Sequence, residues 1–313
     1  MRLPAVSART YRLICAATVA AVAIIVVTGA AVRLTGSGLG CTDWPACSQN
    51  QFVSVTGYHR SIEQVNRLFT GVVSVAIVLA VLGSLARVPR RRDLVWWSLG
   101  LVGGLVGQIV LGGITVIFHL WPPLVMGHFV LSAILVWNAV VLLDRAGRPD
   151  DGSHPQAGTS VVPPNTRLLA RVLVAAAAAV IVTGTVVTGT GPHGGDEHVR
   201  RLPFEVETVA RIHSLTAWAF LALAVVTMGV VYRGGASASL QRRGLVLAGA
   251  IVVQGAIGYT QYFLGVPPGL VLVHVAGSVV VWVAALSFYL GLTVYPEADP
   301  RAEPVSQMTG TPG

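Results

Sequence analysis

The chain contains no lysine, and only 11% of its 313 residues carry a charge. Its cationic side chains are 21 arginines, set against 13 carboxylates. With 54% hydrophobic residues and a mean hydropathy of +0.72, so little charge excludes a soluble domain of this length and indicates a polytopic membrane protein. The complete use of arginine suggests a GC-rich bacterial genome. The net charge of +8 does not point to nucleic acid, because the arginines fall in short loops between apolar runs and form no patch or tail.

What the chain has instead is long apolar runs. They lie near 13–33, 65–86, 94–118, 124–143, 168–189, 209–232, 244–264 and 270–293, each of roughly the 20 residues that cross a bilayer core. The expectation is an all-α fold of about eight transmembrane helices. The first run follows Arg2, Arg9 and Arg12 like a signal peptide, but it is as long as a full span and no small-residue cleavage site stands out. Arginines cluster in 87–93, 144–171 and around Arg233, Arg242 and Arg243, on the side of the N-terminus. The positive-inside rule then places both termini in the cytoplasm. Cys41, Cys47, Glu63, Asp196, Glu197, Glu205 and Glu207 fall on the opposite side.

The chain repeats itself. "IVVTGAAVRLTGSGLG" near the end of the first span is echoed by "VIVTGTVVTGTGPHGG" near the end of the fifth. Gln108 and Gln254 are 146 residues apart, and so are His128 and His274. Two four-helix halves in parallel orientation follow, and a site in one half predicts a site in the other. The expected division is 1–143 for the first half, a Pro- and Gly-rich cytoplasmic linker at 144–167, 168–295 for the second half, and a disordered tail at 296–313.

Ionisable side chains inside spans cost about 2.5–3.5 kcal/mol on insertion scales, so each is a functional candidate. His128, His213 and His274 all sit toward the outer face of their spans. A lone histidine there serves as well for hydrogen bonding between helices. Repeat-related His128 and His274 argue for more, and His213 can face His274 across a bundle, which is how two helices hold a haem. No i, i+4 zinc pair is present. The glycines of "GLVGGLVGQIVLGG" serve either close helix packing or the approach of a flat macrocycle. Cys41 and Cys47 flank "TDWPA" on the oxidising side, where they form either a structural staple or a redox-active pair; Cys15 reads as a small buried residue.

"SIEQVNRLFT" (61–70) opens the second run with Glu63, Asn66 and Arg67 on one helical face. Aligning the halves sets "NRLFTG" on "HSLTAW", so that Asn66 takes the place of His213. A rival alignment sets Glu63 and Arg67 on Glu207 and Arg211 and leaves His213 without a counterpart. Glu63 and Arg67 read either as an i, i+4 ion pair at a helix mouth or as a carboxylate held beside a reacting group.

At these residues the sequence resembles the haem A synthase family. The matching pieces are "TGSGLGCTDWPAC", the Glu-x-x-His-Arg position at Glu63–Arg67, "TGTGPHGGD", and the histidines at 128, 213 and 274. The resemblance covers the chain except the linker and tail, and it implies a bacterial cell-membrane oxidoreductase that converts haem O to haem A for cytochrome oxidase biogenesis. It implies that haem b, a cofactor, is held by His213 and His274, that haem O, the substrate, meets His128, that Glu63 is the catalytic residue, and that Cys41 and Cys47 are the family's loop cysteine pair. Asn66 departs from the family pattern, which has histidine there. His59, four residues before Glu63, is a substitute expected to lie in the loop. Arg67 would tune Glu63 or meet a haem propionate. Haem O synthase and cytochrome oxidase assembly factors are the implied partners. Two readings outside the resemblance are a diheme b-type electron-transfer protein without substrate chemistry, and a transporter.

Overall fold

The computed structural model describes residues 4–150 and 158–295. The expected tail at 296–313 lies outside the described residues, as does part of the linker. Eight helices are each long and apolar enough to cross a membrane. They are α1 (Ala8–Leu34), α2 (Tyr58–Ala86), α3 (Arg92–Ile117), α4 (Pro122–Ala146), α5 (Pro164–Thr190), α6 (Val206–Arg233), α7 (Ala238–Phe263) and α8 (Pro268–Leu290). The all-α, multi-pass architecture expected from the sequence is therefore the observed one.

Local chemistry sets the helix ends. Ser7 and Ser237 cap α1 and α7 through their hydroxyls, which accept from Thr10 N and Leu240 N. Prolines occupy the first turns of α4, α5 and α8, where a missing N–H costs nothing. Helix α2 starts at Tyr58, seven residues before its apolar run at 65. Glu63 thus stands in the second turn of a helix, and His59 lies in the first turn of α2 where a loop position was expected.

Each half is a four-helix bundle in which consecutive helices are neighbours and the first helix closes on the fourth. The halves meet through α1 against α8, α4 against α5, and α4 against α8, an arrangement that exchanges with itself under the repeat. Trp282 of α8 donates its indole N–H to the Ala133 carbonyl of α4 across this seam, at 2.9 Å. Along α3, a methyl group at Gly104 would stand 2.5 Å from Leu135 Cδ1 and one at Gly100 2.4 Å from Asn138 Nδ2, so these glycines bring α3 and α4 together.

The arginine-rich ends gather at one end of the molecule. Val6 bonds to Ala86 and Val88, and the buried Arg87 guanidinium is bidentate to Asp150 at 2.7 and 2.9 Å. Asp93 pairs with Arg91 and Arg145. Between α4 and α5, strand β1 (Thr159–Ser160) pairs antiparallel with β2 (Thr293–Val294), so the polar connection is pinned beside the end of α8.

Candidate functional site

The far end of each bundle carries the polar residues singled out in the sequence. In the second half, His213 on α6 and His274 on α8 face one another with ring centroids 6.3 Å apart. Two metal–nitrogen bonds of about 2 Å each, with a ring radius of about 1 Å on either side, also sum to about 6 Å. The pair fits a single iron held between two imidazoles. Thr183 of α5 hydrogen-bonds His213 Nδ1 at 3.1 Å, which leaves Nε2 as the nitrogen open to a ligand. Glycine makes room for each ring: a methyl group at Gly184 would stand 3.1 Å from His213 Cε1, and one at Gly258 3.0 Å from His274 Cε1.

The first half reproduces this arrangement with one substitution. His128 on α4 has Gly112 of α3 beneath its Cε1, with a methyl-to-carbon distance of 3.2 Å, as His274 has Gly258. Gln108 donates to the His128 carbonyl at 3.1 Å, and Gln254 donates to the His274 carbonyl at 2.8 Å. Thr28 of α1, the counterpart of Thr183, bonds the Asn66 carboxamide at 2.8 Å. This contact decides between the two alignments of the halves, because Asn66 takes the threonine partner that His213 takes. The shorter side chain leaves space: a methyl group at Gly29, the counterpart of Gly184, would meet nothing within 4 Å.

Beside Asn66, Glu63 is buried and fully engaged. One oxygen accepts both Nε and Nη2 of Arg67, at 2.9 and 2.5 Å, and the other accepts the Cys41 N–H at 2.7 Å. Arg67 Nη1 donates to the Asp43 and Ala46 carbonyls at 3.2 and 3.3 Å. Cys41 and Cys47 are joined by a disulfide across a sequence separation of 6, so these carbonyls lie within a closed loop. The ion pair is therefore part of a clamp between α2 and the disulfide loop. Trp44, inside that loop, lies over Gly113 of α3, where a methyl group would stand 2.4 Å from the indole. Its neighbour Gly112 carries His128 against it, so α3 bears the loop and the first-half histidine on adjacent residues. His59 bonds Ser37 at 3.0 Å and lies about two helical turns outward of Asn66, away from the level of the other site residues.

His213 and His274 meet directly, and Glu63 and Arg67 meet directly. Among the described residues, no hydrogen bond or ion pair joins His128 to Glu63, Asn66 or Arg67. Gly112 belongs to the glycine-rich run read as packing or macrocycle approach, whereas Thr28, Thr183, Gly184, Gly258 and Trp44 are site residues that the sequence reading does not single out. Their signal was present in the repeated Thr-Gly at 28–29 and 183–184 and in the paired glutamines, since a repeat marks supporting residues as well as ligands.

Fold and site together define a multi-pass membrane protein of two repeat-related bundles, each with a histidine-bearing polar site near one end. A family model described as cytochrome oxidase assembly protein, COX15-CtaA, matches residues 12–56 and 50–286. The chain belongs to this family. It is 26% identical to a protein named heme A synthase from Methylobacterium sp. (strain 4-46), over 87% of this chain and 88% of the relative. A heme A synthase from Bradyrhizobium sp. (strain ORS 278) is 26% identical over 83% of this chain and 85% of its own. One from Exiguobacterium sibiricum is 31% identical over a shorter stretch, 42% of this chain and 46% of the relative.

Proposed function

We propose that this chain is a haem A synthase, which oxidises one methyl group of haem O to a formyl group by successive hydroxylations and so supplies haem A for cytochrome oxidase. The observation that carries the proposal is the contrast between two repeat-related sites. One has two facing imidazoles; the other has one imidazole, an asparagine, and a buried carboxylate alongside.

His213 and His274 would hold haem b in the second half, and His128 would meet haem O in the first. Bound haem b supplies one-electron transfer, which is needed because side-chain acid and base chemistry does not break an unactivated C–H bond. Thr183 fixes the His213 ring through Nδ1, and Gln254 bonds the His274 backbone carbonyl and ties α7 to α8. In the first half Gln108 does the same for His128. Asn66 is not a usual iron ligand; bonded to Thr28, it would leave room beside a bound substrate. Glu63, held by Arg67 and Cys41 N–H, would position the reacting methyl group and exchange protons at its carboxylate oxygens. Trp44 and the disulfide loop would cover that site and exclude water.

The Arg-rich end would face the cytoplasm, which puts both haem sites near the outer face. Haem O synthase would deliver the substrate, and assembly factors of the oxidase would receive the product. The test is to extract and mass-analyse haems from cells supplied with haem O that carry the wild type, Glu63→Gln or His274→Ala. Haem A should appear with the wild type and fall at least tenfold in both variants, for loss of about 1.4 kcal/mol or more of transition-state stabilisation. Wild-type yields from both variants would refute the assignment.

A further inference from the structure

Arg33 and Arg201 stand at the seam between the halves with no acidic partner. Arg33, in the last turn of α1, donates through Nη2 to the Thr188 carbonyl of α5, while its Nε is buried without any partner. Arg201, in the connection between α5 and α6, donates to the Pro192 carbonyl. The two arginines rest on consecutive glycines: a methyl group at Gly194 would overlap the Arg201 guanidinium, and one at Gly195 would stand 3.6 Å from Arg33 Cγ. Gly195 also bonds Gly38 N through its carbonyl at 2.8 Å, which locks the outer loops of the halves together beneath the pair.

Nearby carboxylates are turned elsewhere. Asp196 accepts from His198 N at 3.0 Å, and Glu207 pairs with Arg211 at 2.8 Å. Among the described residues neither Arg33 nor Arg201 forms an ion pair. Two half-buried cations set against consecutive glycines, one with an orphaned N–H, call for an anion to neutralise them and take up the free donor. Arg67, the arginine expected to meet a propionate, has its donors committed to Glu63 and two carbonyls.

We infer that Arg33 and Arg201 form an oxyanion seat, and that its occupant is a propionate of the macrocycle held between His213 and His274. The level supports this choice. Thr188 lies five residues beyond Thr183, the partner of His213, so the Arg33 guanidinium sits about 7–8 Å outward of the ligating imidazole. A macrocycle held by that imidazole would reach this level with a carboxylate arm. The seat uses one arginine from each half, so a bound propionate would also fasten the halves at their outer face. The inference rests on the haem reading above.

Its test is reconstitution of the purified full chain, in phosphatidylcholine nanodiscs, with ferric protoporphyrin IX and separately with its dimethyl ester, followed by the Soret band. Arg33→Gln and Arg201→Gln should each weaken binding of the free acid about tenfold, the scale of one charge-assisted hydrogen bond. Arg33→Lys should recover part of the loss, and a thermal unfolding midpoint like the wild type's would certify folding. The diester should bind wild type and variants alike. Equal binding of the free acid by all variants overturns the inference, and so does an equal loss for both porphyrins. A loss that appears only when phosphatidylglycerol is added assigns the seat to a lipid phosphate and overturns the propionate. If wild type and His274→Ala bind the free acid equally, the haem reading itself fails. Histidine dependence without arginine dependence removes the seat alone.

Discussion

The Thr28 hydroxyl lies 2.8 Å from the Asn66 carboxamide, in the same relation that Thr183 has to His213. The threonine is kept in both halves while its partner changes from imidazole to amide. Since Gly29 also keeps the place of Gly184 without a ring against it, the first half retains the frame of the second-half histidine with an amide in its place. At this position the two halves differ by one side chain.

Histidine at this position should change the site. Asn66→His places an imidazole next to Thr28 and over the open side of Gly29, with no backbone change required. With haem loaded, the variant is expected to gain a second low-spin signal in electron paramagnetic resonance and to lose binding of carbon monoxide at the first-half iron. Haem A formation should be retained, because the family pattern has histidine at this position, while binding of haem b stays unchanged. An unaltered spectrum would mean that position 66 does not face the iron.

The glycines beneath the rings give a matched pair of substitutions. Gly258→Ala puts a methyl group 3.0 Å from His274 Cε1, so the ring must shift by a few tenths of an ångström. Gly29→Ala meets nothing within 4 Å. Both lie inside helices where alanine is the better helix former by about 1 kcal/mol. Haem retained after gel filtration, measured as the pyridine haemochrome, should fall severalfold in Gly258→Ala and stay at the wild-type value in Gly29→Ala. Equal retention would exclude a tight ring contact at His274.

The spans were legible because eight apolar runs of bilayer length are hard to disguise. Helix starts are less legible: α1, α2 and α7 begin five to seven residues before their apolar runs, and the first two turns of α2 carry Tyr58, His59, Arg60 and Glu63, which hydropathy discounts. The histidine pair was legible because spacing between repeats survives when identity fades. The clamp on Glu63 was not, since it depends on backbone groups of Cys41, Asp43 and Ala46, and a backbone N–H or carbonyl leaves no mark in composition. The pairing of β1 with β2 was equally hidden, because two residues show no period and their partners lie far along the chain.

The clamp makes Arg67 intolerant of lysine. Four hydrogen bonds radiate from its planar guanidinium, two to Glu63 and one to each of two loop carbonyls. Lysine keeps the charge but presents its donors from one point, and it cannot reproduce the fork. Arg67→Lys should therefore lower haem A formation about tenfold or more while haem b content remains normal. Glu63→Asp, one methylene short of Cys41 N, should behave similarly. A Lys variant with full activity would reduce the ion pair to a helix-mouth contact.

Opening the Cys41–Cys47 disulfide should loosen the same clamp. A bridge over a sequence separation of six closes a short loop, for which the chain-entropy model gives about 2–3 kcal/mol. Cys41→Ser with Cys47→Ser is expected to lower the stability of the outer loop by that order, seen as faster proteolysis between residues 40 and 56. Because Glu63 takes its hydrogen bond from the Cys41 backbone, activity should fall but not vanish. Wild-type proteolysis and wild-type activity together would show that the loop is held by Trp44 and Arg67 without the bridge.

The opposite end offers a stability test independent of any haem. Arg87 is 1% exposed, and its guanidinium is bidentate to Asp150, at the end of the segment that follows α4. Removing one partner of a buried pair leaves an uncompensated charge and costs about 3–5 kcal/mol. Asp150→Ala should therefore lower the unfolding midpoint of the detergent-solubilised protein markedly. Asp144→Ala, which breaks only the more exposed i, i+4 pair with Arg148, should cost a few tenths of a kcal/mol. Haem binding at the far end should be unchanged in folded Asp150→Ala, because α1 to α4 separate the two sites by the full length of a span. Equal midpoints for the two variants would mean that water reaches Arg87 in the membrane-embedded protein and replaces the carboxylate.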